Sequence, residues 1–81
     1  MKKIPRDIGS SELIKLLTKR YGYIATRQTG SHIRLTTLQP SEHHITIPNH
    51  QPIKIGTLSA ILYDIAMHQK LTKQQLIDEL F

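Results

Sequence analysis

The chain has 81 residues, a formal net charge of +5 and no cysteine. This length predicts one small domain over residues 1–81 with a limited core, and the lack of cysteine excludes disulfides, Cys-based zinc sites and thiol nucleophiles. Lys2 and Lys3 precede no apolar run, so the N-terminus does not resemble a signal peptide, and no stretch approaches the roughly 18 apolar residues of a membrane helix. We therefore expect a cytoplasmic protein without a membrane partner.

The positive charge is concentrated in the first two thirds of the chain. Residues 1–54 contain nine Lys or Arg and three acidic residues, a net charge of +6, whereas residues 55–81 contain two Lys and three acidic residues, a net charge of −1. This asymmetry is typical of a surface that binds a polyanion, although many small basic domains bind none. The charge pattern favours a nucleic-acid partner.

A first helix is predicted after a short leader, residues 1–9, that has no hydrophobic periodicity. Gly9 or Ser10 can cap the helix, and Gly22 can end it in a left-handed conformation. Its apolar positions recur at helical spacing: Leu13, Leu16, Leu17 and Tyr21, with Ile14 at the flank.

Two strands, residues 23–28 and 32–37, are predicted around a turn at Thr29-Gly30. A two-residue loop gives the pairs Arg27–His32, Thr26–Ile33, Ala25–Arg34 and Ile24–Leu35. Four side chains then face inward (Ile24, Thr26, Ile33 and Leu35) and three face outward (Arg27, His32 and Arg34). Positive φ is unfavourable for the β-branched Thr29, so the alternative is a four-residue loop over 28–31. In that loop each of these side chains keeps the same orientation. A three-residue loop would reverse the face of Arg27.

The remaining elements are a third strand and two helices. Residues 43–47 alternate as a strand, with Ile45 and Ile47 on one face and His44 and Thr46 on the other. A loop with two prolines follows, and a second helix begins near residues 54–58 with an apolar stripe formed by Leu58, Ile61, Leu62 and Ile65.

The C-terminal segment, residues 71–81, is predicted to form a third helix that runs to about Leu80. Thr72 and Gln75 match a capping box, and Leu71 with Leu76 match a hydrophobic staple. The resulting fold class is α+β, a two-layer sandwich of order α-β-β-β-α with this additional helix and an antiparallel three-stranded sheet. The sheet face that carries Arg27, His32, Arg34 and His44 has nothing in the chain to cover it, so it is either a binding surface or simply solvated.

His32 is the first candidate for chemistry. A histidine between Arg27 and Arg34 could move a proton while an RNA 2′-hydroxyl attacks the adjacent phosphate, with the arginines stabilising the added negative charge. On spacing alone, however, a histidine on a strand is more often a bystander. A single histidine would also have to both accept and donate a proton, and the sequence leaves the second group open.

Other kinds of site have weaker signals. His32, His43, His44 and His50 invite a metal interpretation, but no zinc spacing is present, and the adjacent His43 and His44 point to opposite faces of a strand. We expect no metal and no cofactor. Phosphate loops, nucleophile elbows and paired carboxylates are absent from the sequence. Tyr21 and Tyr23 could stack on bases, but core packing is the expected role of Tyr21.

Five blocks of the sequence together resemble the HicA toxins of bacterial and archaeal toxin–antitoxin pairs. The match runs from Ser11 onward in the family's order, and the combination of a Gly-Ser-His, a Pro-x-His and a Gly-Thr-Leu block is specific. The blocks are residues 11–17 (SELIKLL), 21–23 (YGY), 27–32 (RQTGSH), 45–50 (ITIPNH) and 55–58 (IGTL), with Ile61-Leu62. The C-terminal capping-box helix also resembles one that many members carry.

The resemblance implies a fold similar to the double-stranded RNA-binding domain and ribosome-independent cleavage of mRNA. It implies growth arrest by the free toxin, neutralisation by a HicB antitoxin, and a catalytic histidine at His32. We add Arg27, Ser31, Arg34 and Lys54 as expected RNA contacts. Any oligomer is expected to form only through the antitoxin complex.

Two interpretations from other functional classes stay open at this point. One is a non-catalytic RNA-binding module that uses the same basic sheet face, for which loss of His32 would leave salt-dependent binding intact. The other is a protein–protein module whose only partner is the antitoxin, in which Arg27 and Arg34 contact acidic groups of that protein.

Overall fold

A computed structural model describes residues 2–81 and contains three helices and one sheet. The elements are α1 (Ser10–Tyr21), β1 (Ile24–Thr29), β2 (His32–Thr37), β3 (His43–Pro48), α2 (Ile55–Gln69) and α3 (Lys73–Leu80). The strands form an antiparallel sheet in the order β1-β2-β3. This architecture confirms the α+β class and the predicted order with its additional C-terminal helix.

Both ends of α1 follow the predicted signals. Gly9 is the N-cap residue in an extended conformation, and Gly22 takes φ 72°, so that the backbone amides of the cap bond to the carbonyls of Leu17 and Thr18. A side chain on Gly22 would meet the Gln39 side chain at 3.3 Å in addition to the strain of positive φ. Leu13 and Leu17 are fully buried.

The β1–β2 hairpin differs from its predicted register. The turn is Gly30-Ser31, with Gly30 at φ 57°, and Thr29 pairs with His32. Thr29 thus stays in the strand, where a β-branched residue is comfortable. Arg27 consequently lies opposite Arg34, not opposite His32. The shift is an even number of residues, so the three cationic or titratable side chains still share the outer face.

A β-bulge also changes the start of β1. The register shifts between Ala25 and Arg27, so that Ala25 pairs with Leu35 and Ile24 pairs with Thr36. The predicted pairs Ala25–Arg34 and Ile24–Leu35 are therefore wrong, as is the inward orientation of Ile24, which is 62% exposed.

Thr26, the extra residue of the bulge, is also on the outer side. Its hydroxyl lies 3.1 Å from the Thr36 hydroxyl on the exposed face, so its predicted pairing with Ile33 and its inward orientation are wrong. One extra residue reverses the face of everything before it in a strand, and nothing in the local alternation signals the bulge.

The inner face of the sheet packs on the helices as predicted. Leu35, Ile45 and Ile47 are buried, and Ile33 packs against the same core. The buried positions of α2 are Leu58, Ile61, Leu62, Ile65 and Ala66. None of the helices in residues 2–81 is long and apolar enough to cross a membrane.

α3 begins with the predicted capping box. The Thr72 side chain accepts a hydrogen bond from the Gln75 backbone N–H at 3.0 Å, and the Gln75 side chain accepts one from the Thr72 N–H at 2.8 Å. Leu76, Ile77 and Leu80 of this helix are buried. α3 packs against α2 and α1 in the helical layer.

Candidate nucleic-acid interface

The outer face of the sheet has two arginines directly opposite each other. Arg27 of β1 pairs with Arg34 of β2, and both are exposed. In residues 2–81 the ion pairs are His43–Asp64 and His44–Glu42, so neither arginine forms an ion pair within that region, although Glu42 lines a depression with both of them. Like charges directly opposite in a sheet are destabilising, and a bound anion would remove that repulsion.

His32 lies beside the arginines at the start of β2. It pairs with Thr29 on one side and with Pro48 on the other, and it is exposed. Arg27, Arg34 and His32 line one shallow depression of about 180 Å³, together with Thr29 and Thr46. The predicted grouping of one imidazole with two fixed cations is therefore present on an open surface.

His32 also lines a second and larger concavity. This concavity has a volume of about 410 Å³ and lies between the end of the sheet and the start of α2. We call it the two-histidine cleft, because its lining residues are His32, Thr46, Pro48, His50, Lys54 and Thr57. Two imidazoles and one lysine thus surround a space open to solvent.

Backbone hydrogen bonds fix the position of the loop that carries His50 in the two-histidine cleft. The Asn49 N–H donates to the Ser31 carbonyl at 2.6 Å, and the Ser10 N–H donates to the His50 carbonyl at 3.1 Å. The Ser10 hydroxyl lies 2.9 Å from the Asn49 side-chain oxygen. The turn before His32 and the segment that carries His50 are therefore fixed to each other and to the start of α1.

The start of α2 adds positive character to the same cleft. Lys54 is the N-cap residue, no side chain caps the helix, and its first turn contains no acidic residue. The first backbone N–H groups of a helix carry partial positive charge and bind anions. Lys54 and Thr57 line the cleft, so its electrostatics suit a phosphate.

His43 and His68 lie on the helix side of the sheet and bond to their neighbours. His43 contacts the Tyr23 hydroxyl at 2.8 Å and Asp64 Oδ1 at 3.2 Å through its two ring nitrogens. His68 Nε2 donates to the Ser41 carbonyl at 3.0 Å. Burial raises the pKa of the Tyr23 hydroxyl to about 12. These histidines connect the sheet to α2.

The histidines on the outer face and in the loop after β3 differ in the hydrogen bonds that their rings make. Both ring nitrogens of His44 have partners, the Thr36 hydroxyl at 2.8 Å and Glu42 Oε2 at 2.8 Å. The rings of His32 and His50 make no hydrogen bond to any of residues 2–81. The two imidazoles that line the cleft are thus those whose nitrogens are free to contact a ligand.

Comparison with protein-family models gives a match to this chain. The matching model is described as the HicA toxin of bacterial toxin–antitoxin systems, and it matches residues 10–67, more than half of the chain. The chain belongs to the HicA toxin family. Neither a search of curated proteins nor a search of solved structures gave a match.

Family membership gives this HicA toxin its place in a bacterial toxin–antitoxin pair and implies an antitoxin partner. The matched region runs from the first residue of α1 into the last third of α2. It includes every lining residue of the two-histidine cleft and both arginines. α3 follows the matched region.

Three of the four expected RNA contacts line the depressions that contain His32: Arg27, Arg34 and Lys54. The fourth is Ser31. Ser31 is exposed in the turn, and its carbonyl bonds to Asn49. It does not line either depression that contains His32. Ser31 as an RNA contact stays a prediction.

The sequence does not predict that two residues of the candidate site lie close to His32. His50 and Thr57 come from the loop after β3 and from α2, and the sequence could not place a loop residue against a strand residue 18 positions earlier. The Pro-x-His and Gly-Thr-Leu blocks were the available signal. Within residues 2–81, no group of three His, Cys, Asp or Glu is arranged to hold a metal ion.

Proposed function

We propose that this HicA family toxin is an endoribonuclease that cleaves mRNA in the cytoplasm without the ribosome. The observation that carries the proposal is the position of His32, which is exposed beside the opposed pair Arg27–Arg34. An imidazole can move a proton near neutral pH. Fixed cations at the same place stabilise the negative charge that develops on a phosphodiester under attack.

The reaction proposed is attack by the ribose 2′-hydroxyl on its own 3′-phosphate. RNA supplies the nucleophile, so the protein has only to orient the strand, move protons and stabilise charge. The arginines bind the phosphate oxygens, and His32 acts as the acid or the base. DNA lacks the 2′-hydroxyl and is not cleaved by this route. No metal is required by this scheme.

RNA recognition in this proposal is mainly of the phosphate backbone and of shape. Tyr23 is fully buried and Tyr21 is partly buried, with its hydroxyl 2.8 Å from Glu79. Neither is on the outer face of the sheet, so base stacking by these tyrosines has no support. Binding that depends on Arg and Lys contacts to phosphates weakens as salt increases.

We further propose that the partner is a HicB-type antitoxin that covers the outer face of the sheet. A protein seated on Arg27, His32 and Arg34 would exclude RNA and would present carboxylates to the arginines. The positive charge of this face supports that geometry. Addition of the antitoxin should abolish cleavage, and an Arg27→Glu variant should form the complex more weakly.

The test uses purified components and no ribosomes. The wild-type chain, His32→Ala and the control His68→Gln are incubated with a structured mRNA in the presence of a metal chelator. His68 is on the opposite side of the sheet, so its substitution should leave cleavage unchanged. His32→Ala should lower the rate by about 100-fold to 10,000-fold, the usual range for loss of an acid or base.

The alternative, a non-catalytic RNA-binding module on the same face, gives a different result. All three proteins would then bind RNA with the same salt dependence and none would release fragments. Cleavage by His32→Ala at the wild-type rate would also contradict the proposed role of His32. Melting curves of the three proteins show whether each is folded.

A further inference from the structure

We propose that His50 is the second proton-transfer residue of the site and works with His32 across the two-histidine cleft. This inference rests on the proposed ribonuclease function and deepens it. Cleavage by a 2′-hydroxyl needs one group to accept a proton and another to donate one. His32 alone does not supply both in a single step.

The first argument is position. His32 and His50 line the same concavity of about 410 Å³, although they are 18 residues apart in the sequence. The hydrogen bond from Asn49 to Ser31, at 2.6 Å, joins the residue before His50 to the residue before His32. A cleft of this size, open to solvent, can admit a ribose and the phosphate that follows it.

The second argument is elimination among the groups around His32. The other residues that line its two depressions are threonines, a proline and the cations Arg27, Arg34 and Lys54. Threonine hydroxyls do not ionise near neutral pH, and arginine remains protonated. Lysine can exchange a proton readily only where its surroundings lower its pKa strongly. His50 is thus the other residue that lines the cleft with an imidazole, the side chain that most often serves as a general acid or base.

The third argument is the state of the rings. Among residues 2–81, the ring nitrogens of His43, His44 and His68 contact protein groups, whereas those of His32 and His50 have no such contact. The His50 backbone is nonetheless fixed, because its carbonyl accepts from Ser10 and its N–H donates to the Pro48 carbonyl at 2.9 Å. A fixed backbone with an uncommitted imidazole suits proton transfer to a ligand.

The proposed step balances without an added reactant. One imidazole takes the proton of the 2′-hydroxyl as the O2′–P bond forms, and the other, protonated, gives its proton to O5′ as the P–O5′ bond breaks. The products are a 2′,3′-cyclic phosphate and a 5′-hydroxyl. The imidazoles end with their protonation states exchanged, and solvent restores them. Arg27, Arg34 and Lys54 stay charged throughout.

The first test is the dependence of RNA cleavage on pH in wild type, His50→Ala, His50→Gln and the control His68→Gln. Wild type and the control should give a bell-shaped profile, because one histidine must be neutral and the other protonated. The titratable groups that line the cleft with His50 are His32 and Lys54. No carboxylate lines the cleft, so neither limb of the pH–rate profile is expected to come from one. Both His50 variants should lose about 100-fold to 10,000-fold in rate and one limb of the profile.

The second test is an RNA in which sulfur replaces the bridging O5′. A thiolate leaves without protonation, so the variant that lacks the acid should recover most of its rate, and the variant that lacks the base should not. We expect recovery in either His50→Ala or His32→Ala, but not in both. His50→Gln retains a polar side chain of similar reach and serves if His50→Ala does not fold.

Three outcomes are distinguishable. Cleavage by the His50 variants at the wild-type rate, with both limbs intact, overturns the role of His50 while leaving the ribonuclease proposal standing. A uniform loss of rate with an unchanged profile and no recovery on the sulfur substrate assigns His50 to structure and also overturns it. If wild type does not cleave any RNA, the proposed function fails and this inference fails with it.

Discussion

The rings of His43 and His68 stack on each other, with centroids 4.2 Å apart and planes inclined by 9°. One ring belongs to the last strand of the sheet and the other to the end of α2. Asp64 accepts from His43 Nε2, because a carboxylate only accepts, and the Tyr23 hydroxyl lies 2.8 Å from His43 Nδ1. This chain of contacts joins the sheet to the helical layer at the end opposite the two-histidine cleft.

His43→Ala should therefore destabilise the fold without changing the outer face of the sheet. The substitution leaves the Tyr23 hydroxyl in the core without its partner, which costs about 1–3 kcal/mol. Urea unfolding measures the change in free energy. The neighbouring His44→Ala is the control, because its contacts with Thr36 and Glu42 are exposed and such surface contacts contribute only about 0–1 kcal/mol. Equal effects of the two substitutions would contradict a structural role for His43.

Alkaline pH should weaken the same contacts. Burial, with a smaller contribution from the Asp64 charge, raises the pKa of Tyr23 to about 12, above its value of about 10 in an unfolded chain. The neutral hydroxyl thus contributes stability that is complete below pH 10 and is lost as pH rises to about 12. The stability difference between wild type and Tyr23→Phe should shrink across this interval. A difference that stays constant from pH 9 to 12 would contradict this linkage.

Gly30→Ala should cost about 1–2 kcal/mol, from backbone strain alone. Gly30 takes φ 57°, and a Cβ there would meet nothing within 4 Å, so the cost is that of left-handed backbone for an L-residue. Gly30→Asn should cost less, because asparagine tolerates this region better. Thermal unfolding of both variants tests the order. If both are as stable as wild type, the turn adopts another conformation.

Removing one charge of the arginine pair should have opposite effects on stability and on RNA binding. Arg34→Gln relieves a like-charge contact, which should stabilise the fold by about 0.2–1 kcal/mol. It should also weaken RNA binding and reduce the slope of log affinity against log salt by about one. Lys19→Gln on α1 is the matched control for loss of one positive charge. Identical salt slopes for the two variants would argue against a phosphate contact at Arg34.

Much of the fold was predictable because its signals are local. Three predictions depend only on residues a few positions apart in the sequence, and all three are confirmed: the caps of α1, the capping box of α3 and the alternation of β3. The bulge in β1 is different. It depends on how Ile24 and Thr26 fit against a neighbouring strand, and an alternating sequence does not reveal where an extra residue is accommodated.

The candidate site divides in the same way. The grouping of Arg27, His32 and Arg34 follows from strand parity, which a correction of two residues in register does not alter. The approach of His50 to His32 is tertiary, since it depends on backbone bonds among Ser31, Asn49 and Ser10. Sequence patterns can identify such residues, but they do not show that the residues lie close together in the folded chain.

Because Arg27 and Arg34 lie opposite each other, the thermal stability of the fold should also depend on whether an anion is bound to them. Any polyanion that neutralises Arg27 and Arg34 binds the folded chain in preference to the unfolded one, and mass action then raises the melting temperature with ligand concentration. RNA, an acidic protein partner and a simple oligoanion would each raise the melting temperature, whether or not RNA is cleaved. A melting curve can thus rank occupants of the face in a His32→Ala background, where the substrate would remain intact.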